Sequence, residues 1–497
     1  MLGLVFTYQN TPSLGKIFFQ LEKEKEVNKG QFVSIEHSQG KLIGLVVDIF
    51  RFNPYFEQTP SGIEISNAIP ADDWHTSVVE VKPLGLLNNK VFGRLSFPPY
   101  AGAKVEIPAD DDLKVFLGFK EKGIYLGDIQ STGVKVIIDQ SRLLQKHLAI
   151  LAMSGAGKSY AVSVLLEELL KQAEDESVGI ILFDVHGEYK NFAEPVASKE
   201  YKDFSKHTKY YDAAKMTFAL HSIDDSLFGK INSKSTNTGF EELMLIIREL
   251  RKDMSEGHVY DFDDIKRSIE EKELKANVKE PLLRSLIQIE HFGLFEKTGN
   301  FRIDDVVKPG QLTIIDMSNV LEMTRKQIIV AYFSHVLFKK RLQGYVAPFT
   351  LVLEEAHQFV PQKSEDFAKA KEYLETIARE GRKFGACLCL VSQRPINLNT
   401  TVLSQCNTHI LMRITNPNDL KHISESSEAL DQKSTELITG LSVGEALMVG
   451  SSVNYPLFFK VRQRESQPNK YEKNLQEMVS EFSHKEKKKS EELDSYL

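Results

Sequence analysis

Along the first 139 residues, apolar and polar positions alternate in short bursts: "GLVFTYQ", "GKIFFQL", "GQFVSIE", "KLIGLVVDIF", "AKVEIPA" and "KVIID". A period of two turns one face of each burst to a core and the other to water, the pattern of half-buried strands. Gly and Pro punctuate the bursts, as in "NTPSLGK" and "FPPYAGAK". Many short strands at close spacing predict a small β-barrel or sandwich over 1–139. Nothing catalytic stands out there, so the region reads as a platform.

From about residue 140 the texture changes. Continuous apolar runs, "HLAILA", "VGIILFDV", "QLTIIDM", "FTLVLEE", "ACLCLVSQ", "THILMRI" and "EALMVG", alternate with helix-period stretches. Strands buried on both faces read this way, and the alternation predicts a mostly parallel sheet covered by helices over 140–464. Three charged helical segments between about 222 and 305, such as "FEELMLIIRELRKDM", predict a helical insertion in this α/β domain. Over 465–497, Tyr471, Leu475, Met478, Val479 and Phe482 recur at helical spacing before the charged run "HKEKKKSEELDSYL", which predicts a C-terminal helical arm or tail.

Composition narrows the class. A chain of 497 residues with 42% hydrophobic and 26% charged residues is globular and too long for one ordinary domain. Its apolar runs fall far short of the ~18 residues a membrane helix needs. The start, "MLGLVFTYQN", lacks a basic stretch and reads as a strand instead of a signal peptide. Three cysteines cannot build a disulfide framework, and Cys387 and Cys389 alternate on one face of a buried strand. These features predict a cytoplasmic protein with no membrane partner. A formal net charge of -7 disfavours nucleic acid over the whole outer surface, yet it allows Lys and Arg to be concentrated on an inner wall.

The chemistry begins at "HLAILAMSGAGKSYAVSVLLEELL". An apolar strand runs into Ser154-Gly155-Ala156-Gly157-Lys158-Ser159, and a helix follows with a stripe of Val162, Leu165, Leu166, Leu169 and Leu170. Phosphate binding needs backbone N–H groups converging at a helix N-terminus, and Gly155 and Gly157 let the chain curl that tightly. Lys158 would reach the β- and γ-phosphates of a nucleotide, Ser159 would ligate Mg²⁺, and Tyr160, the next residue, is a further candidate for a nucleotide contact. The usual first glycine of such loops is Ala152 here, a mild departure because that position mainly eases the turn.

A nucleotide hydrolase also needs acids at the end of a neighbouring strand. "TLVLEEAHQF" supplies Glu354, to hold the Mg²⁺ shell through water, and Glu355, to orient or deprotonate the attacking water. Gln393 in "LVSQRP" ends another apolar strand, where it would sense the γ-phosphate. Between them, "ETIAREGRKFGA" carries Arg379 and Arg382, three residues apart, beside Lys383. If helical, the pair shares a face and suits an arginine finger offered to a neighbouring subunit. "FDVHGEYK" ends a further strand with Asp184, His186 and Glu188, a combination hard to justify by packing alone.

In that order, "HLAIL...GAGKS", "DVHGEY", "LEEAHQFVP", "AREGRKFG", "SQRP" and "VLSQCNTHILMRITNP" resemble the HerA family of the HerA–FtsK ATPases. "FPPYAGAKVEI" and "GIYLGDI" are similar to that family's N-terminal β-barrel. The resemblance implies an α/β RecA-like P-loop ATPase core with an N-terminal small β-barrel and a helical insertion. It further implies a homo-hexameric ring that moves double-stranded DNA without sequence preference, using ATP and Mg²⁺. The implied partner is a NurA-type nuclease in DNA end resection, or another effector. The alternative function is the ATPase ring of an anti-phage complex, in which ATP binding or hydrolysis controls the effector. Carried over by position, Lys158 and Ser159 hold phosphate and Mg²⁺, Glu355 is the catalytic carboxylate, Gln393 the sensor, and Arg382, then Arg379, the finger in trans. Where the family has an arginine before the first strand, this chain has Lys146, which lacks the planar fork. Arg464 in "FKVRQR" is a further candidate for a nucleotide contact.

Other nucleotide-binding classes fit less well. A GTPase would need N-K-x-D, which the sequence lacks, and "LSVGE" lies after the acidic pair, where a transporter signature would precede it. A membrane coupling ATPase would bring membrane helices. A non-catalytic ring scaffold would not require Glu355, Gln393 and the arginines together.

Overall fold

The computed structural model describes the chain except residues 9, 53–74, 174, 232–236, 255–258, 364–367, 428–429, 431, 470–475, 477, 481 and 484–497. Its contacts divide it into two compact units, Met1–Asp139 with Glu445–Arg462, and Gln140–Gly444 with Gln463–Leu497.

The first unit opens with β1 (Gly3–Val5), β2 (Ile17–Leu21), β3 (Phe32–His37), β4 (Gly40–Phe52), β5 (Thr76–Asn88), β6 (Val91–Gly93) and β7 (Lys104–Glu106). Six of them close in the order β2-β1-β7-β3-β4-β5, with β5 returning to β2. Closure removes the exposed edges that an open sheet would leave. Inward residues such as Ile17, Phe19, Val33, Ile35, Val79 and Val81 fill the interior, all fully buried. β5 escapes the sequence pattern because Pro83 interrupts it. Pro83 sits opposite Gly44, where the pairing with β4 shifts register, so the ladder absorbs the missing donor. Asn89 and Lys90, both at positive φ, make the tight turn into β6.

Helix α1 (Asp110–Leu117) then leads to β8 (Ile124–Ile129) and β9 (Lys135–Ile138). The late strands β19 (Glu445–Gly450) and β20 (Leu457–Val461) form an antiparallel run with them, in the order β19-β20-β8-β9. Their turn is fixed to α1: Asn454 Nδ2 donates to Phe116 O at 2.9 Å, and Tyr455 stacks on Phe116 at 4.8 Å. The sequence reading leaves "EALMVG" in the α/β domain. Its contacts group it with residues 1–139, because its hairpin partner β20 pairs antiparallel with β8, more than 300 residues upstream, where no local pattern reveals it.

The second unit contains β10 (Leu148–Leu151), β11 (Gly179–Asp184), β12 (Thr208–Asp212), the two-residue β13 (Phe218–Ala219) and β14 (Phe295–Glu296), β15 (Leu312–Asp316), β16 (Phe349–Leu353), β17 (Ala386–Ser392) and β18 (Thr408–Leu411). Seven strands run parallel in the order β12-β15-β11-β16-β17-β10-β18. All strands of this sheet except β12 are buried throughout, as the continuous apolar runs require. Cys387 and Cys389 are free thiols within β17, pushed up to about 12 by burial.

Helix α2 (Lys158–Leu170) follows β10 directly and buries nearly its whole circumference. Four insertion helices, α3 (Asp225–Ile231), α4 (Asn237–Asp253), α5 (Phe262–Glu271) and α6 (Ala276–His291), lie between β13 and β14, which pair parallel and close the insertion's base. Helices α7 (Met323–Leu342) and α8 (Lys371–Glu380) precede β16 and β17. Of the predicted C-terminal arm, Tyr471 and Leu475 lie outside the described residues, while Met478, Val479 and Phe482 are exposed.

Candidate functional site

A cleft of about 510 Å³ opens where β10, β11, β16 and β17 end. Parallel sheets place ligands at this carboxyl edge. Met153, Ser154, Gly155, Gly157, Lys158, Ser159, Tyr160, Ser163, His186, Glu188, Glu355, Gln393, Arg464 and Asn469 line it.

The loop between β10 and α2 has left-handed turns at Gly155 (φ 77°) and Gly157 (φ 98°). Gly157 also passes close to Gly444 and Met412, where a side chain would be crowded. Gly444 N–H donates to Ala156 O at 3.2 Å, so the "LSVG" turn buttresses the loop from outside. Ala152 is fully buried and not among the residues at positive φ, so a Cβ is tolerated without strain. Ala156 is also buried and turned away from the cleft.

Lys158 Nζ donates to Glu355 Oε1 at 2.8 Å and lies 3.7 Å from Glu354 Oε1. The two carboxylates hold the ammonium above its usual range against the opposing effect of burial. Glu355 adopts a left-handed backbone (φ 47°), a strained state for a residue with a side chain, which turns its carboxylate out of the strand line toward Lys158. His357 Nδ1 stands 3.3 Å from Glu355 Oε2 and 3.1 Å from Ser392 Oγ. Burial holds its imidazole below the usual histidine range.

Glu354 is fully buried and accepts from Tyr189 Oη at 2.6 Å. Burial is the largest influence on its carboxyl, pushing it up to about 8 against the pull of Lys158. Glu354 Oε2 and Glu355 Oε2 are buried with no hydrogen-bond partner. Buried acceptors left open in this way suit a hydrated divalent cation, so the donor set fits Mg²⁺ held by Ser159 with Glu354 through water. Among the described residues no cluster of three His, Cys, Asp or Glu side chains forms a protein-only metal site.

Asp184 is engaged by the turn that follows it. Its Oδ1 accepts from the backbone N–H groups of His186, Gly187 and Glu188, and its Oδ2 from Tyr189, at 2.8–3.2 Å. It is fully buried, and burial lifts its carboxyl to about 6. With its oxygens committed to the turn, Asp184 shapes the loop that presents His186 and Glu188 to the cleft.

Lys146, Arg379 and Arg382 do not reach this cleft. Lys146 precedes β10, and Arg382 lies in a 3₁₀ turn (Gly381–Phe384) just before β17. All three therefore stand at the amino edge of the sheet, a strand's length from the phosphate loop. The α-helix stops at Glu380, so Arg379 and Arg382 occupy a helix end and the turn that follows, not one continuous helix.

The chain matches a family model described as "Helicase HerA, central domain" over residues 124–337. A DNA double-strand break repair helicase HerA of Sulfolobus acidocaldarius is 26% identical over 91% of this chain and 92% of its own length. A probable helicase of Methanocaldococcus jannaschii is 30% identical over 95% of this chain and 93% of its own. The chain belongs to the HerA helicase family. The structure of VirB4 of Thermoanaerobacter pseudethanolicus covers 69% of this chain at a TM-score of 0.50 and 15% identity, a likeness of fold. The RecA-like P-loop core, the small barrel and membership of the HerA family make this an ATP-hydrolysing helicase.

Several groups at this HerA site carry no local signature. Arg464 lines the cleft because its segment is strapped onto α2. Glu167, fully buried, accepts from Glu465 N at 3.0 Å, Ser466 N at 2.8 Å and Ser466 Oγ at 2.7 Å. Tyr160 Oη accepts from Arg464 N at 2.7 Å, and Asn469 Nδ2 donates to Gly187 O at 3.0 Å. Residues 464–469 thus form one wall of the cleft. Asn469, Tyr189 and Glu167 leave no sequence signal because each acts across more than 100 residues, whereas His357 lies within "LEEAHQF", two residues from Glu355. Ser163, one helical turn after Ser159, had a spacing signal that could have found it.

Proposed function

We propose that this chain is a subunit of a homo-hexameric ring that hydrolyses ATP to drive double-stranded DNA through its centre, and that it works with a nuclease of the NurA type in processing DNA ends. The observation carrying this reading is the division of one chemistry between two sheet edges. The phosphate loop, Glu355 and Gln393 meet in one cleft, while Arg379 and Arg382 are exposed at the other edge. Arginines placed that way serve a nucleotide only if the next subunit presents its cleft to them.

Lys158 and Glu355 neutralise one another at 2.8 Å. An incoming γ-phosphate competes for Lys158 and frees the Glu355 carboxylate to orient and deprotonate the attacking water. Gln393 holds that water in line. His357 stands beside the second Glu355 oxygen, and Tyr189 fixes Glu354 by donating to it. When bound, Mg²⁺ neutralises charge on the β- and γ-phosphates. DNA contact by a net acidic subunit falls to basic groups on the channel wall and is made to phosphates, so binding is independent of sequence and weakens steeply with salt.

The test is ATP hydrolysis by the purified chain with and without linear double-stranded DNA, with Glu355→Gln as the blank. Stimulation by DNA that disappears in the variant supports translocation. Hydrolysis indifferent to DNA refutes it.

A further inference from the structure

We propose that His147 is a positioning residue for the arginine segment: it ties the strand that carries the phosphate loop to the backbone that presents Arg379 and Arg382 to the neighbouring subunit. The proposal rests on the trans reading of those arginines.

His147 immediately precedes β10 and is fully buried. Its backbone is left-handed (φ 60°), which costs a non-glycine residue free energy and persists only where the surroundings enforce it. Both ring nitrogens are engaged. Leu388 N–H, in β17, donates to Nδ1 at 3.0 Å. Nδ1 is therefore the acceptor, so Nε2 carries the hydrogen and donates to Ala378 O at 3.0 Å. The ring is thereby fixed as one neutral tautomer, bridging the last turn of α8 and the middle of β17.

Ala378 is the residue before Arg379. At the far end of the basic segment, Arg341 Nε donates to Phe384 O at 2.6 Å, and its Nη1 donates to Val346 O at 2.9 Å. Between these clamps Gly381 lets the chain pass its own strand, since a Cβ there would stand 2.2 Å from Ala386 O. The segment Arg379–Lys383 is thus held at both ends by its carbonyls, while its cations remain exposed and without an ion pair among the described residues. A satisfied core histidine explains the two bonds. It leaves unexplained why both go to the segment that brackets the arginines, from the residue that begins the phosphate-loop strand. Finger geometry must hold to within about 1 Å, since misplacement of that size costs up to about 100-fold in rate.

The experiment uses the full chain. His147→Gly accepts the left-handed backbone and deletes the ring. Its ATP turnover is expected to fall at least about tenfold, with affinity for a fluorescent ATP analogue unchanged, because the variant's own cleft is intact. Rings are then reassembled from equal amounts of His147→Gly and Glu355→Gln subunits. The second variant has no working cleft but a sound arginine segment, so the mixture should hydrolyse faster per His147→Gly subunit than that variant alone. Arg382→Ala and Arg379→Ala, each mixed with Glu355→Gln, calibrate the assay. If an arginine variant is complemented and His147→Gly is not, His147 acts within its own cleft and the proposal is overturned. If neither arginine variant is complemented, the trans reading itself fails and takes this proposal with it. Should His147→Gly not fold, His147→Asn, which tolerates the same backbone but reaches less far, is read in the same mixture.

Discussion

The two edges of the parallel sheet are built on opposite plans. At the carboxyl edge several charged groups are paired within the chain, Lys158 to Glu355, Tyr189 to Glu354, Asp184 to four amides, and Glu167 to the 465–466 backbone, while Glu354 Oε2 and Glu355 Oε2 stay without a hydrogen-bond partner. At the amino edge the backbone is equally well fixed, by His147 and Arg341, but Arg379, Arg382 and Lys383 are left exposed without an ion pair among the described residues. The difference teaches where the chain finishes its own chemistry and where it leaves a position for another molecule. A cation held by its backbone and left open at its charge is prepared for an anion from outside.

The strongest way to break this contrast is Arg382→Ala. If the amino edge completes a neighbour's cleft, hydrolysis falls by about 10³-fold while nucleotide binding in the variant's own cleft persists. An equal loss of binding would place the arginine in cis. Next in size, Glu167→Gln unstraps residues 464–469 from α2. An amide nitrogen would then face the Glu465 N–H donor, and the charge that strengthens the bonds from Ser466 would be gone. ATP affinity is expected to weaken about tenfold, about 1.4 kcal/mol. Titration with a fluorescent nucleotide reads that change, and unchanged affinity would show that this wall does not grip the ligand.

A third measurement concerns pH. Burial holds the imidazoles of His147 and His409 down to about 4, while the unfolded chain titrates near 6.5. Between those values the unfolded state binds more protons than the folded one, so stability is present above pH 6.5 and is lost as pH falls toward 4. Each histidine contributes at most about 1.4 kcal/mol per pH unit to that slope. The difference in melting temperature between the wild type and His147→Asn should therefore shift against the wild type across this window. Parallel curves would mean that the ring is not held neutral. The smallest effect is expected at Ala152→Gly, which restores the usual glycine of the phosphate loop. Since Ala152 is unstrained and fully packed, hydrolysis should stay unchanged and stability should drop by about 0.5–1 kcal/mol. A gain in turnover would show that the alanine restrains the loop.

Much of the cleft was legible in the chain because its parts are local. A strand, a glycine turn and a helix occupy consecutive residues, so the phosphate loop announces itself, and Glu355 and Gln393 each end a continuous apolar run. Local logic reaches less far at Asp184, since "DVHGEY" does not reveal that its carboxylate accepts from the amides of its own turn. Local pattern also passes over β5, where Pro83 breaks the alternation and a bulge at the adjacent Leu84 lets the ladder with β4 continue.

The sequence by itself determined the two textures of the chain, alternating strands in the barrel and doubly buried parallel strands in the ATPase core, together with the side chains that can cradle and cleave a nucleotide. Those properties depend on a residue and its near neighbours. Only the tertiary structure decided that β19 and β20 join the first unit, that residues 464–469 wall the cleft, and that His147 reaches Ala378 and Leu388. Each of these depends on hydrogen bonds closed over more than 200 residues, and the packing of distant elements, not any spacing along the chain, brings their partners together.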